Sequence, residues 1–202
     1  MNKQLLTNNY LIVRNFVSKS IAKEHFDQFN EAYYSNFLKK DSEIPGAFVA
    51  YNPDLAKDLQ YEKCDSISSI IGSKVLPTYC FARRYVKGNV LKIHTDRPAC
   101  EISLTIHLNG DRSWPIWITT PKGNAVSVDL ESGDAMVYLG SIAPHWREEY
   151  LGDSYSQVFF HYVREESSSC SSHAYDVYHG TDQMYFAKEQ YQNLLKEYSN
   201  LL

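Results

Sequence analysis

The chain has 202 residues, enough for one domain with a sizeable core and short for two. Hydrophobic residues make up 44% and charged residues 22%, ordinary globular values that exclude global disorder. The net charge of −4 gives no basic footprint for nucleic acid or an anionic membrane surface, and no run approaches the roughly 18 apolar residues of a membrane span.

The aromatic share of 14%, with 16 Tyr, predicts buried hydroxyls or an aromatic-lined pocket. The four cysteines, Cys64, Cys80, Cys100 and Cys170, are widely spaced and form no C-x-x-C pair, which excludes a zinc knuckle and a dense disulfide scaffold. The opening "MNKQLLTNNYLIVRNF" lacks a long apolar core and a small-residue cleavage site, so it does not read as a signal peptide. A reducing cytoplasm with free thiols is the expected setting.

In chain order, "YLIVRNFVS" reads as a short strand. A helix follows over "SKSIAKEHFDQFNEAYYSNFLKK", with Ser18 or Ser20 as N-cap and a stripe of Ile21, Phe26, Phe29 and Tyr33. Residues 41–60 mix Pro, Gly and Asp with aromatics and read as an ordered loop. Its Phe48 and Tyr51 suit either a cover that closes over a ligand or a structural strap. "YEKCDSISSIIGSKV" reads as a second helix ending near Gly72.

From position 75 the character changes to short segments rich in β-branched and aromatic residues. Turn signals separate them at Lys87-Gly88-Asn89, Asn109-Gly110-Asp111, Pro121-Lys122-Gly123-Asn124 and Ser132-Gly133-Asp134. Such spacing predicts a β-sandwich or barrel. The serine-rich stretch 165–174 reads as a flexible surface link. Tyr191, Leu194, Leu195 and Tyr198 then predict a C-terminal amphipathic helix.

His94 and Asp96, two residues apart at the end of one strand, share a face. Alone, the pair also reads as an ordinary polar pair at a strand end. A third imidazole would complete a 2-His-1-carboxylate triad, which holds one face of Fe(II) and leaves positions open. The downstream candidates are His107, His145, His161, His173 and His179. His107 is too near in sequence to return across a barrel, and His173 and His179 lie in or after the serine-rich link. His145 is the better choice, because 49 residues separate it from Asp96 and leave room for the intervening hairpins.

"YVKGNVLKIHTD", with Tyr85 and Gly88 ahead of His94, and "LESGDAMVYLGSIAPHW", running from a Gly-Asp turn to His145, extend the pattern. Over residues 75–164 the chain resembles the prolyl-4-hydroxylase-like branch of the Fe(II)/2-oxoglutarate-dependent dioxygenases. The resemblance implies an α+β, mainly β fold in one domain. Its double-stranded β-helix (jelly-roll, cupin-like) core at 75–164 would have helical N-terminal support at 1–74 and a linker and C-terminal helix at 165–202. It implies Fe(II) held by His94, Asp96 and His145, with 2-oxoglutarate and O2 as co-substrates and ascorbate as an optional reductant. The implied reaction hydroxylates peptidyl proline, another amino acid or a small molecule, releasing succinate and CO2. The rival readings are a cupin-like metalloprotein without 2-oxoglutarate turnover and a non-catalytic binding protein on the same fold.

One departure stands out. The family usually places Lys or Arg about nine to ten residues after the distal His, where this chain has Ser154 and Tyr155. The substitutes in the region are Arg83, Lys92, Arg97, Arg147 and Arg164. Strand parity puts Arg147 on the same face as His145 and one step deeper, and its planar fork suits a carboxylate. The expected co-substrate residues are therefore Arg147 and Tyr85, with Tyr155 and Gln157 adding hydrogen bonds; the alternative pairs Arg147 with Glu148 or Glu149 at the surface. Arg97 either steers substrate or pairs with Glu101. His161, on the same parity as Tyr155 and Gln157, either lines the pocket or is a hydrogen-bonded core residue. Trp114 and Trp117 form a substrate wall or pack the barrel, and Cys100 reads as an inert strand residue.

Overall fold

A computed structural model describes residues 1–175. The expected C-terminal helix lies outside these residues. In chain order the elements begin with α1 (Lys3–Asn8), β1 (Tyr10–Val13), α2 (Lys19–Tyr34), β2 (Lys39–Lys40), β3 (Phe48–Tyr51), α3 (Asp54–Glu62) and α4 (Cys64–Ile71). Then come β4 (Val75–Val86), β5 (Leu91–His94), β6 (Ile102–Gly110), β7 (Ile116–Thr119) and β8 (Ala125–Val128). The series ends with β9 (Ala135–Tyr138), β10 (His145–Arg147), β11 (Ser154–Arg164) and α5 (Cys170–His173).

The strands form two antiparallel sheets, as the jelly-roll expectation requires. The larger has the order β1-β9-β6-β11-β4-β3-β2 and the smaller β5-β10-β7-β8. β4 and β11 are the long central strands. Their register pairs Tyr155 with Tyr85, Gln157 with Arg83 and Phe159 with Phe81, so these rungs face one way. On the other side, β6 sets His107, Thr105 and Ser103 opposite Gln157, Phe159 and His161. The face turned toward the smaller sheet is thus polar and aromatic. The opposite face carries Ala82, Val158 and Phe160, which join Phe29, Leu59 and Ile67 of the helices in the main apolar cluster.

The helices start and stop where side-chain chemistry permits. Ser18 caps α2 by accepting from the Ile21 N–H, and its buried side is Ala22, His25 and Phe29 rather than the full predicted stripe. Gly72, at φ +69°, ends α4 in the left-handed conformation that a side chain disfavours. Gln60 of α3 fastens the helical layer to the sheet. Its Nε2 donates to the carbonyls of Tyr79 (3.0 Å) and His161 (2.8 Å), while its own carbonyl accepts from the Tyr162 hydroxyl.

Five expectations are corrected. Residues 41–60 are not one loop, because β3 pairs along β4 and α3 begins at Asp54. The helix expected over 61–75 is the end of α3 followed by a separate α4. The serine-rich link contains the short helix α5, and Cys100 sits in a 3-10 turn (Pro98–Cys100), not a strand. The segment before residue 75 is also more than helical support, since β1, β2 and β3 all join the larger sheet. Among the described residues no helix is long and apolar enough to cross a membrane.

Candidate metal centre

β5 and β10 are neighbours in the smaller sheet, and their register sets His145 directly opposite His94. Both rings therefore project from one rung. Asp96 lies two residues beyond β5, where its N–H donates to the carbonyl of Gly140 at 2.8 Å. The three side chains converge: His94 Nε2 and His145 Nε2 each lie 3.6 Å from Asp96 Oδ1. All three potential ligand atoms fall within 4.8 Å of one another.

The remaining polar atoms of these residues are engaged elsewhere. His94 Nδ1 contacts the Lys92 carbonyl at 2.8 Å, and His145 Nδ1 the Ala143 carbonyl at 2.9 Å. A carbonyl only accepts, so each Nδ1 carries the proton and each Nε2 presents a lone pair. The Ser103 hydroxyl donates to Asp96 Oδ2 at 3.0 Å, which leaves Oδ1 to face the imidazoles. Burial and the adjacent His145 push His94 down to about 4, so it is neutral at neutral pH. Burial alone would raise Asp96, but His145 and His94 outweigh it and hold the carboxyl below its usual range. The result is two Nε2 atoms and one carboxylate oxygen turned toward a common point, the donor set of a facial triad.

Beside the triad is a cavity that is partly open to solvent. Leu91 and Ile116 continue the wall that carries the triad, while Tyr79, Phe81, Phe159 and His161 with Tyr51 form the opposite one, and Tyr138 of β9 meets the His145 ring edge-on at 4.8 Å. The rings of this second wall stack, Phe81 on Phe159 at 4.5 Å and on His161 at 5.6 Å between centroids. Glu43, Arg83 and Arg97 supply charge. Arg83 is buried and bound to Asp41 (2.6 Å) and Glu43 (3.5 Å), so its charge is matched.

Arg147 is as buried as the triad, at 1% exposure, so it is not a surface partner of Glu148 or Glu149. Between the His145–His94 rung and the Arg147–Leu91 rung the ladder slips by one residue, on the β5 side. Its guanidinium donates to the Trp114 carbonyl and packs over the rings of Trp114 (4.9 Å) and Tyr155 (5.2 Å). Its second terminal nitrogen has no partner, and among the described residues no carboxylate is paired with it. Tyr85 and Tyr155 lie in the same aromatic cluster, which shares Leu91 and Phe159 with the cavity wall. Gln157 is fully buried, donates to Thr105 Oγ1 at 2.7 Å, and keeps an unpartnered Oε1. None of Tyr85, Arg147, Tyr155 and Gln157 lines the cavity itself.

Other expectations resolve by contact. His161 does both things expected of it, lining the cavity and bonding to Ser103 at 2.9 Å; burial pushes it down to about 4. Arg97 lies over the Tyr79 ring at 4.4 Å, whereas Glu101 is held by Arg164. Trp114 packs the barrel, and Trp117 stacks on Trp146. His107 stacks on Tyr155, away from the triad. Asp134 of the Gly-Asp turn is structural: it accepts from the Asn15 N–H and pairs with Arg14, tying the end of β1 to β9. Of the pair expected as a cover or strap, Tyr51 lines the cavity and Phe48 does not. Sequence reasoning did not find Glu43, Tyr79 and Phe81; alternation along β4 from Tyr85 back through Arg83 to Phe81 was the available signal for part of that wall.

Two facing antiparallel sheets with a His-x-Asp…His cluster on the smaller one define the double-stranded β-helix, and the fold is that of the 2-oxoglutarate/Fe(II) oxygenases in their prolyl-hydroxylase-like form. A prolyl-4-hydroxylase from Pseudomonas putida superposes with a TM-score of 0.67 at 14% identity, covering 80% of this chain and 96% of that one. A Trichoplax adhaerens prolyl hydroxylase, solved with a hypoxia-inducible-factor peptide fragment, gives 0.63 at 18%, covering 81% and 87%. HygX from Streptomyces hygroscopicus, solved with nickel and 2-oxoglutarate, gives 0.65 at 10%, covering 80% and 85%. No protein-family model and no curated protein sequence matches the chain.

Proposed function

We propose that the protein is an Fe(II)- and 2-oxoglutarate-dependent dioxygenase that hydroxylates a small molecule or peptide and releases succinate and CO2. The observation that carries this reading is the convergence of His94 Nε2, His145 Nε2 and Asp96 Oδ1, with every other polar atom of the three side chains bonded elsewhere. That donor set fits Fe(II): two imidazoles and one monodentate carboxylate, with the cavity on the open side. Bound there, the metal would supply oxygen activation coupled to decarboxylation of 2-oxoglutarate. The protein's own part is to hold the three ligands, exclude bulk water with the aromatic wall, and orient the two organic substrates.

Arg147 is the residue we assign to the distal carboxylate of 2-oxoglutarate. A buried guanidinium without an anion is costly, and a dicarboxylate reaching inward from the metal would match its charge. Arg83 fits less well because Asp41 and Glu43 already match it. Tyr155 packs against Arg147 and Tyr85 against Trp114, and with Gln157 they would add hydrogen bonds. Among proteins of this fold, one is solved with a peptide fragment and HygX with hygromycin B, which supports both substrate kinds. The four cysteines are free thiols, which suits a reducing cytoplasm.

The test is succinate formation from 2-oxoglutarate with added Fe(II), beside direct metal and 2-oxoglutarate titrations. His94→Ala is expected to abolish turnover and metal binding while the fold persists; turnover at the wild-type rate would refute the triad. Arg147→Met is expected to weaken 2-oxoglutarate binding at least about 30-fold, as when one partner of a buried charge pair is truncated. The same variant, without ligand, should unfold at equal or higher denaturant concentration, because an unmatched buried charge is gone. A cupin-like metalloprotein would bind metal but show no effect of Arg147 on 2-oxoglutarate.

A further inference from the structure

Ser103 stands between Asp96 and His161, and its hydrogen bonds can be counted. Its Oγ lies 3.0 Å from Asp96 Oδ2, 2.9 Å from His161 Nδ1 and 3.3 Å from the Cys100 carbonyl. A serine hydroxyl has one proton to give, and a carboxylate can only accept. The charge-assisted bond is the strongest of the three, so that proton goes to Asp96. His161 Nδ1 then faces an oxygen that has no proton left for it, and must itself donate. A neutral imidazole protonated at Nδ1 carries its lone pair on Nε2.

That lone pair is unused. Nε2 of His161 is buried and has no hydrogen-bond partner. The ring projects from β11 on the same face as Phe159, stacks against Tyr79 at 4.6 Å and Phe81 at 5.6 Å, and forms part of the cavity wall. A buried acceptor without a partner, on a side chain that lines the cavity, would be satisfied by a bound molecule that brings a donor to it.

We infer that His161 is the substrate-recognition residue: its Nε2 accepts a hydrogen bond from an O–H or N–H group of the substrate. The same Ser103 that orients His161 also fixes Asp96, so the anchored donor is held close to the ligand set. The carbon that is oxidised therefore lies within a few bonds of a hydroxyl, amine or amide N–H. This narrows the substrate to compounds such as polyols, amino sugars and free amino acids. The ring nitrogen of a peptidyl proline bears no hydrogen, so a prolyl substrate would have to supply the donor from a neighbouring backbone amide. The inference rests on the dioxygenase reading for the reaction, but not for the tautomer.

The experiment uses the full chain labelled with ¹⁵N-histidine and loaded with Zn(II) as a diamagnetic stand-in. The expected spectrum shows His161 as the neutral Nδ1–H form with an unprotonated Nε2. The Nε2 signal is expected to move on adding at least one of glycerol, inositol, glucosamine and L-proline. It should not move with their O- or N-methylated counterparts or with N-acetylproline methyl ester. For the tightest probe, His161→Phe should weaken binding by about tenfold or more, and His161→Gln, whose Oε1 can accept, should restore part of it. A proton found on Nε2 overturns the inference, as does a response to methylated probes equal to that of the parents. Silence toward every donor-bearing probe overturns it too. Titration of Zn(II) and 2-oxoglutarate into the same sample reports on the dioxygenase reading separately, since the tautomer is read without either substrate.

Discussion

At the scale of single residues, the site is organised by where protons are held. Two backbone carbonyls fix the tautomers of His94 and His145, and one serine takes the second oxygen of Asp96, so three lone pairs meet without a side chain having to choose. Gly140 makes this possible by having no side chain. A Cβ there would sit well inside van der Waals contact of Ser103 Oγ, Asp96 Oδ2 and the Cys100 carbonyl. Gly140→Ala is therefore expected to displace the carboxylate and weaken Mn(II) binding about 10–100-fold, as loss of an outer hydrogen-bonding shell does. Circular dichroism should show the sheets intact; unchanged Mn(II) affinity would refute this role for the glycine. His94, Asp96 and His145 were legible in the sequence because their spacing and the turns around them belong to one strand end and its return. The Ser103–His161 chain was not, because it joins β6 to β11 through a register that no local pattern encodes.

At the scale of elements, the corner joining β6 to β11 depends on Asp111. Its carboxylate accepts from the Tyr150 hydroxyl at 2.6 Å and from the N–H groups of Asp153 and Ser154 at 2.9 Å each. These bonds, the Tyr150 hydroxyl first, hold its pKa far below the usual carboxylate value. A folded pKa below the unfolded one means that folding favours the charged form. The stabilisation is complete above the unfolded value of about 4 and is lost as pH falls through the folded one. Asp111→Asn should lower the urea midpoint at pH 7, and the gap from the wild type should shrink by pH 3. A gap that stays constant would disprove the linkage. Elements were harder to read where neighbours decide them. Phe48–Tyr51 is four residues between a Pro-Gly turn and an Asn-Pro step, and it becomes a strand because β4 offers it an edge. The break between α3 and α4 at Lys63 has no Pro or Gly to announce it.

For the whole molecule, a helical layer backs the larger sheet while the smaller sheet presents the triad across the cavity. The mainly β character, the jelly-roll class and the β-rich stretch from residue 75 were legible from period-2 patterns and turn residues. The seven-strand width of the larger sheet was not, since β2 comes from the end of a stretch that reads as a helix and β3 from one that reads as a loop, and nothing local assigns the strand at β1 to this sheet. Gln60 is where the layers are joined most specifically, because it serves the carbonyls of both Tyr79 and His161, two residues of the aromatic wall. Gln60→Leu would leave both carbonyls buried without a donor. It is expected to cost about 2–4 kcal/mol in urea unfolding. A loss under roughly 1 kcal/mol would mean that the layers hold by apolar packing alone.

The position of β5 in this architecture has a kinetic side. It is four residues long and lies at the edge of the smaller sheet, paired on one side by β10. His145 sits on an inner strand, whereas His94 sits on an outer one that can peel away while both sheets stay folded. The residence time of an ion held by the two histidines would then be governed by fraying of this edge and not by global unfolding, so the ion could be exchanged or scavenged from a molecule that remains native throughout.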